Sequence, residues 1–120
     1  LTLRFDARAG SAAALKRHLA ETGLPPLALL AGINGVHLCV ADQDASSLET
    51  AERKGREVGV PRWIVMIEGG SAQVCDAAAD RLLAEGRLEA AGAEDIERGL
   101  YRLEFSLQEE PFAYAERKQA

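Results

Sequence analysis

The chain has 120 residues, 48% apolar and 28% charged, the balance of one globular domain with a core of its own. Its 14 Lys and Arg are outnumbered by 19 Asp and Glu, for a net charge of −5, and both signs are scattered throughout. No basic stripe exists for phosphates, aromatics at 5% are too few for base stacking, and no apolar run reaches the ~20 residues of a membrane span, so neither nucleic acid nor a membrane is an expected partner.

Residues 2–7 (TLRFDA) alternate. Leu3 and Phe5 share one side and Arg4 and Asp6 the other, which predicts a half-buried strand. Gly10 and Ser11 break it, and Ser11 can cap a helix in which Leu15 and Leu19 make an apolar stripe. Gly23 and Pro25 stop that helix, and a short apolar turn with Leu27, Leu29 and Leu30 follows. Residues 35–41 (GVHLCVA) alternate again, with Val36, Leu38 and Val40 opposite His37 and Cys39. Residues 42–60 are polar and punctuated by glycine. Ser46 and Glu49 have capping-box spacing for a short helix over 47–54.

Residues 61–68 (PRWIVMIE) give the clearest strand, with Trp63, Val65 and Ile67 on one side and Arg62, Ile64, Met66 and Glu68 on the other. Gly69, Gly70 and Ser71 turn the chain into a second helix, striped by Val74, Ala78 and Leu82 and ended at Gly86. Residues 87–99 read as a connector with one helical turn near 93–97. Residues 100–107 (LYRLEFSL) read as the last strand, Tyr101, Leu103, Phe105 and Leu107 facing Arg102, Glu104 and Ser106 across it. The domain then spans 1–108, and 109–120 form a polar tail.

The order β-α-β-β-α-β predicts an α+β fold of the ferredoxin-like, split βαβ kind with an antiparallel sheet. Both helices need one apolar sheet face, which Leu3, Phe5, Val36, Leu38, Val40, Trp63, Val65, Ile67, Leu103 and Phe105 would supply. The opposite face would mix Ile64, Met66 and Cys39 with charges. A face meant only for water seldom carries such an apolar centre, so a homodimer with sheets face to face around a polar-lined cleft is expected.

Three passages carry a resemblance. LPPLALLAGINGVHL (24–38), PRWIVMIEGGSAQVCDA (61–77) and GLYRLEF (99–105) resemble the corresponding passages of dimeric α/β-barrel proteins, over residues 1–108. The resemblance implies a homodimeric α/β barrel. That superfamily includes cofactor-free monooxygenases of antibiotic biosynthesis, ether-degradation-type proteins, muconolactone isomerases, haem-binding members and stress-responsive members. Ether-degradation-type relatives often carry a histidine just before the Leu-Pro pair, where this chain has Gly23. A haem ligand, as in the haem-binding members, would fall to His37.

The candidate chemistry lies on the mixed face. His37 is read as a general base or ligand, and Glu68, which with Arg62 flanks the apolar Ile64 and Met66, as the second catalytic candidate. Arg4, Arg62, Met66 and Glu104 are the binding candidates: charges to orient an anionic or carbonyl substrate, and an apolar surface beside them. Each has a structural alternative, a hydrogen-bonded interface histidine for His37 and cross-strand ion pairs for the charges. Trp63 reads as core, and His18 as a partly exposed structural residue. Gly69, Gly70 and Ser71 lack the spacing of a phosphate loop.

No catalytic triad, metal-ligand cluster or dinucleotide fingerprint stands in the sequence, so no cofactor and no metal are expected. Cys39 and Cys75 are too far apart for a disulfide framework and read as free thiols in a reducing cytoplasm. The sequence-level expectation is a small organic molecule held in the cleft, with a cofactor-independent monooxygenase or isomerase as the enzyme type. A non-enzymatic dimeric scaffold with a filled cleft is the alternative.

Overall fold

The alternation at the start of the chain becomes strand β1 (Thr2–Ala7), and the computed structural model describes residues 1–41 and 63–107 around it. Helix α1 (Ala12–His18) follows, and its stripe buries Leu15 completely. It runs into a π-helical turn (Leu19–Gly23), where the Leu24 amide donates to the Leu19 carbonyl at 2.9 Å. Pro25 and Pro26 open the short helix α2 (Pro25–Ala28), where a missing amide hydrogen costs nothing. Strand β2 (Ile33–Val40) and strand β3 (Trp63–Gly69) match the two later alternating runs.

Helix α3 (Ala72–Leu83) begins where Gly69, Gly70 and Ser71 were expected to turn the chain. The Ser71 hydroxyl accepts from the Val74 amide at 3.2 Å and caps it. A 3-10 turn (Ala84–Gly86) leads into helix α4 (Arg87–Ala91) and strand β4 (Ala93–Gly99). The fold is α+β: a four-stranded, open antiparallel sheet in the order β2-β3-β1-β4, with two principal helices.

One sheet face is closed by the helices. Leu3 and Phe5 of β1 and Trp63, Val65 and Ile67 of β3 meet Leu15, Leu19, Leu27, Cys75, Ala78, Ala79, Leu82 and Leu88 in a single cluster. Phe5 and Trp63 lie with ring centroids 6.1 Å apart, within the range of favourable aromatic pairs. Trp63 is core, as its strand parity predicts. Gly23 stands against α3: a Cβ there would come within 2.9 Å of Leu82 Cδ1. A histidine at that position would collide with the core, so the glycine answers a packing need.

The fourth strand corrects the sequence reading. It is residues Ala93–Gly99, where a connector is expected, and not residues 100–107. Backbone pairing with β1 holds it, from Thr2 opposite Gly99 to Ala7 opposite Ala93. Gly92, at φ 122°, makes the turn into it, and the Arg8 amide donates to the Gly92 carbonyl at 2.7 Å. On the helix side Arg98 replaces the apolar side chain expected there. Its guanidinium donates to Asp76 Oδ1 at 2.7 Å and Asp80 Oδ1 at 2.8 Å on α3. Those hydrogen bonds, Asp76 first and Asp80 second, raise its pKa above the ordinary arginine value. Leu103 and Phe105 therefore do not join the core; each is 79% exposed.

Candidate functional site

Side chains alternate along a strand, so the residues that leave the core must share the other face. Strand register arranges them in rows across the sheet. His37 of β2 stands opposite Met66 of β3, and Met66 opposite Thr2 of β1. In the next row Cys39 faces Ile64, Ile64 faces Arg4, and Arg4 faces Glu97 of β4. Glu68 stands opposite Gly35. No described element covers this face: Met66 is 38% exposed, and Cys39 is exposed.

The register brings the two catalytic candidates together. His37 Nε2 and Glu68 Oε2 lie 3.3 Å apart, a diagonal pair one row out of step. Gly35 makes the room. A Cβ at Gly35 would sit 3.0 Å from Glu68 Oε2 and 3.1 Å from His37 Nε2. Sequence reasoning passed over Gly35 as the start of a strand, although a glycine inside a strand marks a place where something approaches closely. The pair is more than half exposed on both sides, so its contribution to stability is small and its ring is open to a ligand.

The binding candidates separate. Arg4 is on the open face, where its Nη2 donates to the Tyr101 hydroxyl at 3.0 Å. Met66 is on the same face, beside His37. Glu104 is not: with the last strand displaced to Ala93–Gly99 it lies outside the sheet, exposed, 4.0 Å from Arg102 Nε on its own segment. Arg62 falls outside the described residues. Tyr101, read from the sequence as part of the core-facing side, crosses to the open face instead. Thr2 belongs to the Met66 row, and its Oγ1 is buried without a hydrogen-bond partner among the described residues.

Chemically, the face offers an acid–base pair, an apolar centre and a guanidinium. A carboxylate at one imidazole nitrogen orients the ring and leaves the other nitrogen to meet a substrate. His37 and Arg4 are two strands apart, about 10 Å by sheet spacing, the span of a small organic molecule. Among the described residues no group of three His, Cys, Asp or Glu side chains could hold a metal ion. No helix of the described residues is long and apolar enough to cross a membrane. Comparison with protein-family models, with curated proteins and with solved structures finds no match to this chain.

Proposed function

We propose that the open sheet face is a binding surface for a small, partly apolar organic molecule bearing a carbonyl or carboxylate. In this reading His37 is the acid–base group and Glu68 the residue that orients it. The observation that carries it is the His37–Glu68 pair, seated over Gly35 and beside the exposed Met66. Arg4 supplies a cation at the other end of the same surface.

The working unit in this reading is a homodimer of ferredoxin-like domains, joined as an α/β barrel with open faces inward. The strand order β2-β3-β1-β4 and the apolar centre of Ile64 and Met66 support it. The reaction class it fits is proton transfer at carbon. His37 would take a proton next to a carbonyl and return it at another carbon, which is an isomerisation needing no co-reactant. Enclosure by the second sheet would exclude water from the enolate. A cofactor-independent monooxygenase would use the same enolate with dioxygen as the oxidant. The Arg4–Tyr101 bond favours a second reading, in which the face is a scaffold whose charged groups satisfy one another.

Thermal-shift screening against small carbonyl and carboxylate compounds tests the proposal. A compound that stabilises the wild type should do so at least tenfold more weakly in His37→Ala and Glu68→Gln. Undiminished binding in both variants sinks the assignment of these residues.

A further inference from the structure

Strand β4 ends at Gly99, and Gly99 completes a row that crosses all four strands: His37, Met66, Thr2, Gly99. The Tyr101 ring fills the place that a side chain at Gly99 would take. A Cβ there would lie 2.8 Å from Tyr101 Cε2 and 3.1 Å from its hydroxyl oxygen. The ring therefore lies at the end of the row away from His37, with its hydroxyl 3.0 Å from Arg4 Nη2. We propose that Arg4 and Tyr101 together anchor a carboxylate, and that the molecule held on the open face is an oxo acid. Its carboxylate would sit at Arg4, its apolar middle over Met66 and Ile64, and its carbonyl end at His37. The proposal rests on the preceding reading of this face; it narrows the substrate class and adds Tyr101 to the residues that hold it.

The charge on Arg4 is what selects a carboxylate over a neutral carbonyl. Among the described residues Arg87, Arg98 and Arg102 each take a carboxylate, and Arg4 takes none. Glu97 stands directly opposite Arg4 in register, where a cross-strand ion pair is expected, yet the guanidinium turns to a neutral phenol instead. A face built only to satisfy its own charges would have joined Arg4 to Glu97. The Tyr101 oxygen accepts from Arg4, so its own hydrogen is left to donate, and it has no acceptor among the described residues. The remaining guanidinium N–H groups stand beside that O–H, in the planar fork that suits a carboxylate. A neutral carbonyl would accept from these donors and leave the charge unanswered; a carboxylate does both.

The rest of the surface sets the other end of the molecule. Between the strands of Arg4 and His37, about 10 Å apart by sheet spacing, stand Met66, 38% exposed, and the half-buried Ile64. They offer an apolar floor with no charge of its own. Glu68, 3.3 Å from His37, would repel a second carboxylate, so the far end of the substrate is neutral. A monocarboxylate with a carbonyl at its distal end meets all three conditions.

Calorimetric titration of the full chain with levulinate and benzoylbutyrate, each beside its methyl ester, tests the anchor. The ester keeps the carbonyl end and the apolar middle and loses the charge. At least one acid should bind the wild type tenfold or more tightly than its ester. Arg4→Gln should bring that acid down to the level of the ester, and Arg4→Lys should keep part of the preference, since the charge remains without the fork. Tyr101→Phe should weaken the acid about three- to tenfold, the worth of one hydrogen bond, and leave the ester unchanged. Tyr101 is 59% exposed and keeps its ring in that variant, so its result stands even where Arg4→Gln fails to fold. An acid preference that survives Arg4→Gln, a Tyr101→Phe variant that binds the acid as the wild type does, or a wild type that binds neither acid overturns the proposal. Acids and esters bound alike, and both lost in His37→Ala, remove the anchor and leave the His37 reading in place. A preference lost in Arg4→Gln but untouched by His37→Ala and Glu68→Gln supports the anchor and removes the acid–base pair.

Discussion

The two faces of one sheet, built from the same three alternating strands, behave as different materials. On the covered face Leu3, Val65 and Ile67 have no more than 1% of their surface exposed. One residue along in each strand, Arg4, Ile64, Met66 and Glu68 meet no second layer among the described residues. The covered face is settled by packing, and each methylene there carries stability. The open face is settled by register, which decides that His37 meets Glu68 across Gly35. Stability and chemistry are thus assigned to opposite sides of the same backbone.

Substitutions sharpen that contrast, beginning with the core. Phe5→Ala removes a fully buried ring packed at a tilt beside Trp63 and should cost about 3–5 kcal/mol in denaturant unfolding. Gly92→Ala should cost about 2–3 kcal/mol, since a methyl would meet Ser11 Cβ at 2.5 Å at a φ of 122°. Ser71→Ala deletes the cap of α3 and should cost about 1 kcal/mol by the same measurement. At the small end, His37→Ala and Met66→Gln should change stability by less than about 0.5 kcal/mol. A loss at Met66 as large as that at Phe5 would erase the distinction between the faces.

Strands β1, β2 and β3 are legible in the sequence because both of their faces have a reason to alternate. β4 is not legible. Its sequence AEDIERG puts Arg98 where an apolar residue is expected, and only Ala93 is fully buried. It is held instead by pairing with β1 and by the clasp of Arg98 on Asp76 and Asp80, features of tertiary structure that no local pattern announces. Residues 100–107 show the complementary case, a strand pattern without a pairing strand among the described residues. Glu104 was drawn into the candidate site by that pattern and lies outside it. His37, Glu68, Arg4 and Met66 are placed on one face by parity alone. Their grouping into a pair over a glycine is not, because a diagonal contact depends on register.

The most direct measurement is a native mass spectrum of the freshly purified full chain beside its Gly35→Ala variant. A methyl at Gly35 would press on both His37 and Glu68, whose side chains supply its three nearest neighbours. The account predicts a wild-type dimer carrying an added small-molecule mass, and a Gly35→Ala dimer that has lost it. A monomer at 12.9 kDa, or a bound mass held equally by both proteins, would contradict the claim that the open face is the working surface.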